Sequence, residues 1–203
     1  MDFKYNPKKT LQAASLFLKL NNQQPMEYMR LIKLLYLADK KALDERGETI
    51  TGDRYVSMDY GPVLSHVYDL INHGPNANPG DPWFEFISAP KSYRVELLQD
   101  PGVGKLCKRE ENLIEETFEA YGDVDIWDLS RWTHSLTEWT DPEGSSVPIK
   151  IEDMLRDLGK SDEKIQKIRE DIEADKCLEA IFSGDLEAVK SMGCIEGLDY
   201  EVA

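Results

Sequence analysis

The pattern of apolar and polar positions predicts a mostly helical chain built around one buried helix. Residues 31–39 read Leu-Ile-Lys-Leu-Leu-Tyr-Leu-Ala-Asp, a run that is apolar on nearly every side of a helix. A helix of this kind lies inside a domain, because each of its faces needs a covering partner. Pro25 and Gly47 supply a helix start and a helix stop. We therefore predict a central helix at about residues 26–46.

Helical spacing predicts further helices on both sides of the central one. Asn6 and Pro7 form a cap and a first helical position, and Gly61-Pro62 is predicted to begin another helix. In the second half of the chain, apolar residues recur every three or four positions. They predict helices at about residues 109–121, 125–136, 149–158, 161–182 and 186–192.

Three short segments alternate between apolar and polar residues and predict strands. They lie at about residues 54–58, 83–87 and 93–98, and the loop 88–92 joins the last two as a hairpin. Together they predict a small three-stranded antiparallel sheet. The expected fold class is therefore α+β and mostly α-helical, a helical domain around the buried central helix with this sheet beside it.

The charge of the chain bears on the kind of partner it takes. Acidic residues outnumber basic ones by 39 to 24, which gives the 203 residues a formal net charge of −15. Residues 110–143 hold eleven acidic residues and one basic residue, and residues 151–203 hold fifteen and seven. A negative surface repels a phosphate backbone and attracts basic proteins. The charge thus argues against a nucleic-acid partner, and the main basic stretch is residues 1–40, with seven basic and three acidic residues.

The sequence also suggests a compartment. The first residues lack the apolar core of a signal peptide, and no run approaches the roughly 18 apolar residues that span a bilayer. Cys107, Cys177 and Cys194 have neither the spacing of a zinc site nor the density of a disulfide scaffold. We expect a cytoplasmic protein with free thiols and no membrane partner.

No motif for catalysis or metal binding emerges from the residues. The three histidines show no close pair of the kind zinc enzymes use, so no metal site is predicted. Ser130 and His134 share a helix face, with Asp128 nearby, but the Gly-x-Ser-x-Gly turn of a serine nucleophile is absent. Asp39 follows the buried run, and either Arg54 or a backbone donor is expected to satisfy it. We predict no enzyme and no cofactor.

Four segments together carry a resemblance to a known family. They are the buried run 33–39, the turn 52–55, the segment 60–68 and the segment 129–139. In this order and spacing they resemble the SocA-like antitoxin domain, also called the Panacea domain, over roughly residues 8–160. The resemblance implies a mostly helical domain with a small sheet and no enzymatic activity. Residues 1–160 are thus expected to form this domain and residues 161–203 an acidic helical C-terminal extension.

The resemblance also implies a function. Family members are antitoxins of two-gene toxin–antitoxin modules, often phage-associated, that neutralise a cognate toxin by direct protein contact. An alternative is a proteolytic adaptor that delivers the toxin to a ClpXP-type protease, for which residues 200–203 are a candidate tag. An enzyme of unknown chemistry is the more distant alternative.

Candidate partner-binding residues come from the same motifs. The family pattern singles out Tyr36, Asp39, Arg54, Tyr60, Gly61 and Pro62, with a scaffold role as the alternative for each. Aromatic residues of the second half are a further candidate set, since tryptophan and tyrosine dominate interface hot spots. By their spacing most of these belong to the core, and some are expected to face a partner: Tyr121, Trp127, Trp132 and Trp139.

Overall fold

The computed structural model of the chain describes residues 1–77 and 81–192. Its helices are α1 (Pro7–Leu20), α2 (Tyr28–Arg46), α3 (Ser65–Ala77), α4 (Trp83–Phe86), α5 (Lys108–Tyr121), α6 (Ile126–Thr133), α7 (Ile151–Asp157), α8 (Asp162–Ser183) and α9 (Leu186–Ser191). Its strands are β1 (Met26–Glu27), β2 (Tyr55–Met58), β3 (Gly61–Leu64), β4 (Arg94–Val95) and β5 (Val147–Ile149). The α+β, mostly helical fold class is confirmed.

The chain divides into two compact units. The larger one comprises Asp2–Gly159 and holds all the strands of the described part together with α1 to α7. The smaller one is formed by the chain from Lys160 onward, where α8 and α9 pack together. Helix α8 starts at the cap residue Ser161, whose hydroxyl accepts a hydrogen bond from the Lys164 backbone N–H at 3.3 Å.

Helix α2 is the buried centre of the larger unit, as the sequence predicts. Every residue from 31 to 40 is buried, including Lys33 and Asp39. Helices α1, α5, α6 and α7 and strand β3 all pack against it, which explains why no face of the run is polar. The helix ends at Gly47, which adopts a φ of +76° and donates its N–H to the Leu43 carbonyl at 3.0 Å.

The three-stranded antiparallel sheet exists, but its membership differs from the prediction. Its strand order is β3-β2-β5, with Tyr55 opposite Leu64 on one side and Ile149 on the other. The predicted strand at residues 83–87 is instead helix α4, which starts where Asp81 accepts the Trp83 N–H at 2.8 Å. Only two residues of the predicted strand 93–98 form β4, and this strand pairs with β1 in a separate two-stranded sheet.

The prediction that Gly61-Pro62 begins a helix is also wrong. Both residues belong to β3, and α3 begins at Ser65. The carboxylate of Asp53 caps that helix from a distance, since it accepts the backbone N–H groups of His66 at 3.0 Å and Val67 at 3.2 Å. A cap that lies twelve residues before the helix leaves no local signal in the sequence.

The structure bears on two further predictions, the free thiols and the absence of a membrane-spanning helix. Cys107 is an exposed free thiol, as predicted. Cys177 is disulfide-bonded, which contradicts the prediction of a free thiol at this position. The odd number of cysteines misled the prediction, since three cysteines still allow one pair. Within residues 1–77 and 81–192, none of the helices combines the length and the apolar character that crossing a membrane requires.

Candidate functional site

The acidic end of the buried run is a hydrogen-bond centre. Asp39 Oδ1 accepts the backbone N–H groups of Ile50 at 2.8 Å and Thr51 at 3.0 Å. Asp39 Oδ2 accepts the hydroxyls of Tyr55, at 2.8 Å, and Thr51. Burial raises the pKa of Asp39 to about 6, although these four donors act in the opposite direction. Of the two partners expected for Asp39, the backbone donors are the ones observed, and they fix the turn that leads into β2.

A second buried network ties α2 to the segment after α6. The Tyr36 hydroxyl donates to Glu138 Oε1 at 2.5 Å, and Lys40 Nζ donates to the same oxygen at 2.7 Å and to Asp157 at 2.6 Å. Burial beside Glu138 raises the pKa of Tyr36 far above its ordinary value. Tyr36 therefore stays a neutral hydrogen-bond donor, and its role in this arrangement is to hold the scaffold.

A third cluster joins α2 to β3 and α6. Lys33 Nζ donates to the Pro62 carbonyl oxygen at 2.8 Å, and the lysine side chain has no exposed surface. Burial lowers the pKa of Lys33 to about 7. A Cβ on Gly61 would overlap the Thr133 hydroxyl and would lie 2.7 Å from Lys33 Nζ, so only glycine fits there. Gly61 also has a φ of +95°.

Above this cluster lies an open groove of about 750 Å³. Its floor is the first two turns of α2. Its walls are formed by the β2–β3 hairpin, the start of α6, the turn before β4 and α3. We call it the aromatic groove, and its lining residues are Glu27, Tyr28, Met29, Ile32, Lys33, Met58, Asp59, Tyr60, Val63, Tyr68, Ser92, Tyr93, Arg94, Ile126 and Trp127.

Exposed aromatic rings dominate the walls of the groove. Tyr60 is 56% exposed and meets Trp127, which is 52% exposed, edge to face with ring centroids 5.8 Å apart. Tyr93 is 77% exposed, and the centroid of its ring lies 6.3 Å from that of Tyr28. Burial raises the pKa of the Tyr28 hydroxyl, and so do the neighbouring hydroxyls of Tyr68, Tyr93 and Tyr60. Four tyrosines thus converge in one place with a tryptophan.

A tight turn with unfavourable backbone angles presents Tyr93. Lys91 and Arg94 pair as an antiparallel bridge with mutual backbone hydrogen bonds of 2.8 and 3.0 Å. The two residues between them, Ser92 and Tyr93, have φ values of +50° and +63°. Both central residues of a type I′ turn need positive φ, and Asn-Gly is the usual pair there. Tyrosine at such a position is strained by about 1–2 kcal/mol.

The accessible charges of the groove are few. Glu27 is half-buried and is paired with Arg94 at 2.7 Å and Arg30 at 3.3 Å. Asp59 is exposed at the tip of the β2–β3 hairpin and accepts the Gly144 backbone N–H at 3.3 Å. Within the described part of the chain no cationic side chain pairs with it. Lys33 lies under the floor and is covered.

The residues predicted from the family motif do not form one site. Tyr60 lines the aromatic groove, and Gly61 and Pro62 lie behind it as backbone support. Arg54 is exposed elsewhere and lines a separate cavity of about 200 Å³. The buried Tyr36 and Asp39 belong to the networks described above. Partner binding by any of the six stays a prediction.

Ser130, His134 and Asp128 do not assemble into a catalytic triad. The Ser130 hydroxyl donates to the Tyr60 carbonyl at 2.9 Å, and Asp128 pairs with Arg131. The ring of His134 stacks on Trp139 with centroids 4.3 Å apart. The Ser130 hydroxyl instead supports the backbone of Tyr60 in the wall of the groove.

Sequence reasoning missed Tyr28 and Tyr93 and only partly placed the tryptophans. Trp127 and Trp132 are exposed, against the expectation that most of these aromatics are core, whereas Trp139 is half-buried and donates Nε1–H to the Met58 carbonyl at 3.2 Å. The sequence signal for Tyr93 is its position directly after the predicted loop 88–92, where a large aromatic residue is unusual.

Comparison with known proteins agrees with the signature segments. The family model described as antitoxin SocA-like, Panacea domain matches residues 31–140, which include most of the groove lining and the three buried networks apart from Asp157. No curated protein and no solved structure matches the chain significantly. Since the family model covers more than half of the 203 residues, the chain belongs to the SocA-like antitoxin family that carries the Panacea domain.

Proposed function

We propose that this protein is the antitoxin of a two-gene toxin–antitoxin module and that it neutralises its toxin by direct binding through the aromatic groove. Residues 1–160 form the toxin-binding domain in this proposal, and residues 161–203 form an acidic extension. The observation that carries the proposal is the exposure of Tyr60 and Trp127 within the part of the chain that matches the antitoxin family.

The physical character of the groove supports binding to a protein. Interface hot spots are rich in tryptophan and tyrosine, which bury large areas with few rotatable bonds. A soluble domain gains nothing by exposing several such rings in one place, so an exposed aromatic cluster marks an interaction site. A strained turn that presents Tyr93 adds to this, because strain persists where the surrounding structure and function require it.

The groove offers less support for catalysis. Its lining, as far as the chain is described, contains no histidine and no cysteine. Lys33 has a strongly shifted pKa, which is typical of functional groups, but its side chain is fully covered and its Nζ is engaged by the Pro62 carbonyl. In this arrangement no substrate reaches the amine. The lysine is better explained as part of the scaffold under the groove.

Co-expression with the adjacent open reading frame tests the proposal. We expect the product of that frame to arrest growth alone and to be harmless when this chain is present. The chain with Trp127→Ala should fail to restore growth, whereas Trp132→Ala, a change on the same helix outside the groove, should restore it. Growth arrest that persists in the presence of the unaltered chain would count against an antitoxin role.

Toxin abundance in the same cells separates occlusion from delivery to a protease. Direct neutralisation predicts that the toxin accumulates to the same level with and without this chain. An adaptor predicts that the toxin disappears in ordinary cells and persists in cells that lack the ClpXP-type protease. Residues 200–203, the candidate tag for such delivery, lie outside the described residues.

A further inference from the structure

We infer that the aromatic groove receives a cationic side chain, arginine or lysine, from a basic segment of the partner protein. The inference rests on the proposed function and adds the chemistry of the toxin surface that the groove selects. Its two supports are the arrangement of the rings and the distribution of charge around them.

The rings surround a space of the kind that binds cations. The rings of Tyr28, Tyr60, Tyr93 and Trp127 come from four different segments, form two contacting pairs and line one open groove together with Tyr68. An aromatic face carries partial negative charge, and a cation within about 6 Å of the ring centroid is attracted by roughly 0.5–2 kcal/mol. Several rings around one space make an aromatic cage, which is how proteins recognise ammonium groups. Arginine also stacks on such faces with its planar guanidinium.

The charge at the mouth of the groove has the matching sign. Asp59 lines it, is exposed and lacks a cationic partner among the residues the structure describes. The loop that leads into α6 adds the exposed residues Asp123 and Asp125 beside Ile126 and Trp127. Several other acids of the stretch 110–143 are paired with cations, Glu110 with Lys9 and Glu138 with Lys40 among them, so the negative charge near the groove comes from Asp59, Asp123 and Asp125. Such a field accelerates encounter with a basic surface and repels an acidic one.

Other occupants fit the groove less well. An acidic side chain would meet the negative ring faces and Asp59, while the cations nearby are already used or covered: Arg94 is paired with Glu27, and Lys33 has no exposed surface. A purely apolar side chain would desolvate Asp59 and the tyrosine hydroxyls without a compensating partner, which is costly. A cation with an apolar stem satisfies both the rings and the carboxylate.

A direct test uses small probes on the full chain, so it does not depend on the toxin. The chain holds four tryptophans, and labelling with 5-fluorotryptophan gives each its own ¹⁹F signal, with Trp127→Phe identifying the groove residue. We expect N-acetyl-arginine amide to shift the Trp127 signal saturably and to leave Trp132 unchanged. N-acetyl-norleucine amide, which has an apolar stem without the charge, should bind at least about threefold more weakly.

The charge contribution is tested by Asp59→Asn, which keeps the acceptor for Gly144 and removes only the charge. It should weaken binding of the arginine probe by about two- to fivefold and leave the norleucine probe unaffected. Equal binding of the two probes, or no saturable shift with the arginine probe up to its solubility limit, would overturn the inference.

A second experiment measures the affinity of the chain for the toxin itself. If the chain neutralises the toxin but neither Asp59→Asn nor moderate salt reduces their affinity, the proposed function stands and the cationic occupant is wrong. If the probes bind as expected and the adjacent frame proves harmless, the groove chemistry stands and the antitoxin role fails.

Discussion

Lys33 on α2 donates a hydrogen bond to the carbonyl oxygen of Pro62 on β3, 2.8 Å away and 29 positions later in the chain. This contact joins two signature segments of the family beneath the aromatic groove. Gly61 has no room for a side chain because Lys33 and Thr133 occupy the space beside it. The family signature therefore describes, in large part, a scaffold whose outer surface carries the exposed rings.

The buried lysine makes stability depend on pH. The pKa of Lys33 in the folded chain is about 7, lowered by burial from an ordinary value of 10.5. Between these values the unfolded chain holds a proton that the folded chain has lost, so the free energy of unfolding rises with pH in this window. From pH 7 to pH 9 the contribution of Lys33 is about 2 kcal/mol.

Lys33→Met should remove that dependence. We expect the variant to be more stable than the parent at pH 7 by ~2 kcal/mol, because the relief of charge burial exceeds one lost hydrogen bond. The advantage should shrink by about 2 kcal/mol at pH 9. Urea unfolding at the two pH values measures both. Since burial and then Lys33 lower the pKa of His134, the histidine pKa should rise in the variant, and unchanged histidine titration would argue against the cluster.

Gly61→Ala should be strongly destabilising. The new Cβ meets Thr133 and Lys33, and the φ of +95° disfavours any side chain. We expect a loss of about 3 kcal/mol or more in the free energy of unfolding. Gly144→Ala is the matched control, because it has a φ of +80° and nothing within 4 Å of the added Cβ. It should cost only about 1 kcal/mol, and equal losses would mean that the close packing at Gly61 is unimportant.

Two substitutions of Asp39 separate hydrogen bonding from charge. Asp39→Ala leaves the backbone N–H groups of Ile50 and Thr51 buried without an acceptor and should cost about 2–4 kcal/mol. Asp39→Asn keeps one oxygen for these donors, and the hydroxyls of Thr51 and Tyr55 can turn to accept from the amide. It should therefore cost clearly less at pH 7. A larger loss for asparagine than for alanine, measured by thermal unfolding, would contradict this account of the network.

Substitutions in the turn before β4 should raise stability and, where they remove Tyr93, weaken toxin binding. Replacing Ser92-Tyr93 by Asn-Gly supplies the residues that a type I′ turn prefers and should stabilise the chain by about 1–2 kcal/mol. The same change removes a ring from the groove and should weaken toxin binding. Ser92→Asn alone should raise stability while it leaves Tyr93 and binding in place. Unchanged stability in both variants would show that this turn is not strained.

The parts of the fold that the sequence predicts are those fixed by local pattern. Residues 31–39 are apolar on nearly all sides, so their place in the interior follows from the pattern alone. The strands are harder to predict, because β1 and β4 are two residues long and find each other across nearly seventy positions. Likewise α3 takes its cap from Asp53, a contact that only the folded chain creates.

The set of aromatic residues that forms the groove could not be predicted from the hydrophobic pattern of the sequence. Its rings come from segments around Tyr28, Tyr60, Tyr93 and Trp127, which lie far apart along the chain. A hydrophobic pattern assigns an aromatic residue to the core, whether its side chain is buried or exposed in the folded protein. Family resemblance leads to Tyr60, but it leads equally to the buried Asp39 and to Arg54 at another cavity.

The affinity of the purified chain for its toxin, measured by isothermal titration with the unaltered protein, Trp127→Ala and Trp132→Ala, tests the central claim most directly. The account predicts that Trp127→Ala weakens binding at least about tenfold, while Trp132→Ala, which replaces a ring that is 40% exposed on the same helix but outside the groove, changes it less than about twofold. Equal affinities for all three proteins, with circular dichroism showing each one folded, would contradict it.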